Sequence, residues 1–199
     1  PTLTSVSRQA IFSGNIPLSF SRTITTTASE EKWWKRFWEE HGVLKQYVTY
    51  QKALGKEIYD KNHIKGLAKK STKIFGVVVD VIDQLSHHAV LGEKGILSNL
   101  QLWLESDYLV SLLSDLKNNN FTIYLTSDHG NTTATGIGRI SEGVLVDQKG
   151  ERVRIYRNKT LYEDAADNIS SIKWSNIGLP DEYYVLLAKH GEAFVPKGH

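Results

Sequence analysis

Residues 121–131 read FTIYLTSDHGN, an apolar run rich in β-branched and aromatic side chains that ends in acid, imidazole and glycine. Without polar alternation, Phe121 to Thr126 are predicted to form a strand buried on both faces, as strands of a parallel sheet are. In an open parallel sheet, ligands bind beyond the carboxyl ends of the strands. Asp128 and His129 are therefore candidates to hold a metal or a substrate, on a shelf that a hydrophobic strand keeps rigid. An Asx turn closing the strand accounts for the same residues, and their spacing alone does not separate the two.

Upstream, KIFGVVVDVID (residues 73–83) predicts a second continuous apolar strand, with Asp80, Asp83 and then His87 at its end. Between the two runs lies SNLQLWLESDYLVSLLSDLKNNN (residues 98–120). Its Ser98 and Gln101 fit a capping box, Leu104, Tyr108, Leu112 and Leu116 carry a helical period, and the asparagines stop it. Strand, helix and strand at this spacing make a βαβ unit, and right-handed crossover makes the strands parallel. If the turn after Asp83 is helical, Asp83 and His87 share a face and can chelate one cation through oxygen and nitrogen. Helix capping by Asp83 and a partly buried His87 is the plainer alternative. Asp80 reads as either a charge facing the pocket or a group satisfied by backbone donors.

Further out, SRQAIFSG predicts a short helix stopping at Gly14, ahead of Pro17. Ser29 starts an amphipathic helix with Trp34, Phe37, Trp38 and His41 on one face and Gly42 beyond its end. LKQYVTYQKAL (residues 44–54) predicts another helix. Residues 139–158 predict a hairpin around Gln148, Lys149 and Gly150, and YYVLLAK (residues 183–189) a further strand. The class is α/β, a mostly parallel sheet flanked by helices, in a single domain over residues 1–199.

With 24 basic against 22 acidic residues and a formal charge of +2, there is no strong overall nucleic-acid or membrane field, although local basic patches are allowed. The absence of cysteine excludes disulfides, thiolate zinc sites and thiol nucleophiles, leaving His, Asp, Glu or hydroxyl oxygen to bind a metal. No apolar run approaches the ~20 residues of a membrane span, so the expectation is a cytoplasmic protein with no membrane partner. Because the chain opens on Pro1 and contains no Met, it is expected to be a truncated piece of a longer one.

The amino segment PTLTSVSRQAIFSG offers Thr2, Thr4, Ser5 and Ser7 beside Arg8. A hydroxyl becomes an effective nucleophile when a divalent cation favours its alkoxide, and an arginine suits a phosphate or sulfate oxygen. A capped surface helix explains the same segment.

In order and spacing, three pieces resemble the alkaline phosphatase superfamily: Thr4 ten residues before Gly14 with Arg8 four after it, Asp83-Gln84-Leu85-Ser86-His87, and Asp128-His129-Gly130. Within it the chain is most similar to the PglZ family of bacterial BREX phage defence, through PTLTSVSRQAIFSGNIP, VDVIDQLSHH, TSDHGNTTATGIGRISEG and YYVLLAKHGEAFVPKGH. The resemblance implies an alkaline-phosphatase-like core and a metal-dependent phosphohydrolase, a phosphodiesterase acting on nucleotides or nucleic acid in phage defence. It implies two divalent ions, zinc or else manganese. Asp83 and His87 would hold one, and Asp128, His129 and Thr4 the other. Thr4 would be the nucleophile and Arg8 would clamp the anion, with Arg139 a weaker candidate. The family's first-strand Asp would lie before Pro1 and its third His beyond His199, leaving His190 and His199 structural or solvent-facing.

The alternative is an inactive scaffold or interaction module working with other phage-defence proteins, with the aromatic helix Trp33 to Trp38 as its surface. A third expectation is nucleic-acid binding through Arg152, Arg154, Arg157 and Lys159, weighed against a solvated strand face.

Overall fold

The computed structural model describes residues 3–87, 92–130, 132–138 and 148–197. The chain is α/β, and its described part divides into two compact units. One comprises residues 1–30 and 127–199, the other residues 31–126.

In the 31–126 unit, helix α2 (Glu30–Glu40, counted from the boundary residue) stacks Trp34, Phe37, Trp38 and His41 along one face, as the sequence period predicts. The next segment departs from expectation. Residues 44–54 are not a helix: a 3₁₀ turn (Lys45–Tyr47) leads into strand β1 (Val48–Gln51). Val48, Thr49 and Tyr50 are all buried, so this run of β-branched and aromatic residues meets protein on both faces, which a pleated strand satisfies better than a helix.

Helix α3 (Lys65–Ala68) follows, and β1 pairs in parallel with β2 (Ile74–Val77), Val48 opposite Ile74. Gly76 lets Trp34 lie on this pair, because a Cβ there would sit 2.8 Å from the indole Nε1. The indole N–H donates to the Thr49 carbonyl at 3.2 Å. The predicted strand thus ends at Val77, and helix α4 (Val81–His87) begins four residues later.

Helix α5 (Gly92–Leu104) starts upstream of Ser98, which lies inside it and is not its cap. Asp107, at φ 59°, breaks the long helix predicted over residues 98–117, and α6 (Tyr108–Asn118) restarts from it. Tyr108, Leu112 and Leu116 then bury one stripe with Leu54 and Ile64, while Leu104 stays exposed. The asparagines do stop α6, with Asn120 in the left-handed region and the Phe121 N–H returning to the Leu116 carbonyl.

Phe121 packs on this core, but Phe121 to Thr126 form no strand. Tyr124 and Leu125 are 91% and 81% exposed. Pairing decides this difference from the buried strand expected: β2 has β1 beside it, whereas no described strand is paired to residues 121–126. The parallel pair of this unit is therefore β1 with β2.

The other unit opens with α1 (Thr4–Ser13), ended by Gly14 at φ 63° as predicted. Gln9, fully buried, bonds the Ser5 and Thr23 carbonyls and accepts from the Thr23 hydroxyl, tying α1 to the 3₁₀ segment Pro17–Thr23. β3 (Thr135–Gly136) runs parallel to β8 (Glu192–Ala193). β4 (Gln148–Lys149) and β5 (Val153–Tyr156) form the expected hairpin, but Gln148 and Lys149 lie in its first strand and the turn closes between Gly150 and Val153. They belong to a four-stranded antiparallel sheet with β7 (Tyr184–Leu187) and β6 (Ile172–Trp174), in the order β4-β5-β7-β6. Helix α7 (Lys159–Asn168), capped by Asn158, packs Ala165 against Tyr156 and Leu186.

Candidate active site

Thr4 is the first residue of α1, so its side chain projects from the helix end rather than into the next turn. Its hydroxyl Oγ1 lies 3.3 Å from His129 Nε2, across 125 residues of sequence. Asp128 Oδ2 is 3.6 Å from the same nitrogen. His129 Nδ1 is 3.4 Å from the Gly130 carbonyl; with hydrogen on Nδ1 the ring donates there and leaves the Nε2 lone pair for the Thr4 hydroxyl or a cation. Asp128 and His129 are each about one quarter exposed, open enough to admit a ligand. Of the other hydroxyls in the segment, Ser7 is buried within the fold.

A hydroxyl oxygen, an imidazole nitrogen with its lone pair and a carboxylate thus meet in one place. That donor set suits a zinc or manganese ion, since each atom binds such a cation without a proton in the way. Among the described residues, no three His, Asp or Glu side chains form a cluster that could hold a metal by themselves. The hydroxyl supplies the third donor here.

Arg8, one turn beyond Thr4, meets a residue that sequence reasoning missed. Its Nη2 is 2.6 Å from Glu30 Oε2, with Glu30 fully buried and the Arg8 side chain 14% exposed. In the sequence Glu30 reads as an ordinary acid in a helix's first turn. Nothing in the sequence separates it from its neighbour Glu31, which the structure leaves exposed.

The remaining candidates stand as follows. Asp80 Oδ1 accepts from the Ala53 N–H at 2.8 Å, the backbone-satisfied alternative. Asp83 lies exposed in the first turn of α4, and the helix places position 87 on the same face. The His87 side chain, His88, Arg139 and His199 lie outside the described residues. His190 is exposed.

The four basic residues of the hairpin do not share one face to solvent: Arg157 and Lys159 are exposed, Arg152 is half-buried and Arg154 is buried. Arg154 is buried, donates to the carbonyls of Gly150, Val153 and Phe194, and stacks on the Phe194 ring. Arg152 donates to the Lys189 carbonyl, Arg157 to the Tyr183 hydroxyl, and Lys159 pairs with Glu163.

Residues 1–198 match the family model described as the BREX system PglZ alkaline phosphatase-like domain. The chain belongs to the PglZ family. No curated protein matches it. As a PglZ domain it is part of a phage-defence system that works with other defence proteins, and its core is alkaline-phosphatase-like. Among the described residues no helix is long and apolar enough to cross a membrane.

Proposed function

We propose that this PglZ domain is a metal-dependent phosphohydrolase, a phosphodiesterase acting on nucleotides or nucleic acid. The observation that supports it is the meeting of Thr4 Oγ1, His129 Nε2 and Asp128 Oδ2. Thr4, His129 and Asp128 would hold one divalent ion, zinc or manganese, and Asp83 and His87 would contribute to a second. When bound, such ions supply positive charge that favours the threonine alkoxide and offsets charge on the phosphoryl oxygens.

Thr4 Oγ1 loses its proton to solvent and bonds to phosphorus in line, as the bond from phosphorus to the leaving oxygen breaks. Water then cleaves the phosphothreonine and restores the hydroxyl. Arg8 steadies the non-bridging oxygens, and Glu30 fixes the direction of its guanidinium. His129 orients Thr4 through the 3.3 Å contact before substrate arrives.

The full chain, loaded with zinc or manganese, is expected to hydrolyse an activated phosphodiester. Thr4→Ala should abolish turnover while leaving much of the metal bound. A metal-loaded protein that cleaves no phosphoester, together with a Thr4→Ala protein that still restricts phage, would establish the scaffold alternative.

A further inference from the structure

The overall charge of +2 hides a local excess. Between residues 45 and 73, eight lysines face two carboxylates, Glu57 and Asp60. The structure gathers part of this excess around a groove of about 400 Å³ over β1, lined by Lys35, Lys65 and Lys69. Glu31 is the acid in the lining, and it is already paired with Lys35 at 2.5 Å. Lys65, Lys69 and Lys70 are exposed, and among the described residues no carboxylate forms an ion pair with any of them. Lys73 extends the field from above the Tyr47 ring, 4.4 Å from its centroid.

We propose that this groove binds the sugar–phosphate backbone of a nucleic acid, through Lys65, Lys69 and Lys70. Lysines are flexible point charges that follow a phosphate chain without reading its sequence. An acidic protein partner fits less well. The lining holds no Arg or Trp, and its Tyr50 is buried, so the residues that anchor protein interfaces are missing from it. The groove uses none of the residues assigned to hydrolysis, so binding there stands or falls separately from turnover.

The test is fluorescence anisotropy of labelled single-stranded and duplex oligonucleotides with the full chain, in chelator so that metal-dependent contacts do not contribute. Binding should weaken steeply with salt. The triple variant Lys65→Ala, Lys69→Ala, Lys70→Ala should bind at least about tenfold more weakly and lower the log–log salt slope by about 2 to 3. The same positions changed to Arg should retain binding, and a charge-matched control, Lys94→Ala, Lys117→Ala, Lys189→Ala, should stay within about twofold. Circular dichroism melts confirm that the variants fold. The site is overturned if the first triple variant binds within twofold of the parent, if the control loses as much, or if polyglutamate binds more tightly than the oligonucleotides at equal charge.

Discussion

Helices α1 and α4 each place two candidate residues four apart: Thr4 and Arg8 on one, Asp83 and His87 on the other. On α1 each of the two has a specific distant partner, Thr4 in His129 and Arg8 in the buried Glu30. On α4, Asp83 is exposed at the first turn, where the helix dipole favours a carboxylate. Spacing puts two groups on one face; what the rest of the chain folds against that face decides its chemistry.

Substitutions on the two helices break or sharpen this contrast. The largest effect is expected from Asp128→Ala, which should remove both turnover and the metal near Thr4, because its carboxylate supplies charge that an imidazole does not. Asp83→Ala should leave that metal in place and remove one equivalent of two, read by metal analysis of the purified protein. Equal metal loss from both substitutions would erase the distinction.

Next in size is Glu30→Ala, which takes away the carboxylate that Arg8 Nη2 meets at 2.6 Å in a mostly buried setting. A loss of about 3 kcal/mol is expected in urea unfolding. Its sequence neighbour is the control: Glu31 pairs with Lys35 at 2.5 Å but both are well exposed, and Glu31→Ala should stay within about 0.5 kcal/mol.

The smallest effect is in alkali. Burial, and then the Asp115 carboxylate that accepts its hydroxyl at 2.6 Å, push the Tyr59 phenol well above its usual range. Above about pH 10 the unfolded chain gives up this proton while the folded one keeps it, so stability falls as pH rises. Tyr59→Phe should flatten that fall between pH 10 and 11, read from urea melts.

Much of the fold was legible because its signals are local. Gly14 ends α1, the asparagines end α6, and the hairpin of β4 and β5 forms, its turn about two residues later than the sequence places it. The errors lie where a neighbour decides. VTY at 48–50 reads as part of a helix until β2 lies beside it, and FTIYLT reads as a buried strand although no described strand pairs with it. At the site, Asp128 and His129 stand out in the sequence, although the strand expected to carry them does not form. Thr4 could be matched to them only through the order of three motifs, since no local pattern reports a contact 125 residues away. Glu30 left no trace, because burial of an acid is a property of the packing around it.

The exposed run at residues 121–126 has a practical consequence for anyone preparing the protein. FTIYLT is six residues long, with no charge and no proline, and it shows Tyr124 and Leu125 to solvent. Stretches of that kind recruit one another between chains. Light scattering should therefore rise with concentration well before activity is lost, and buffers that mask apolar surface should set the yield.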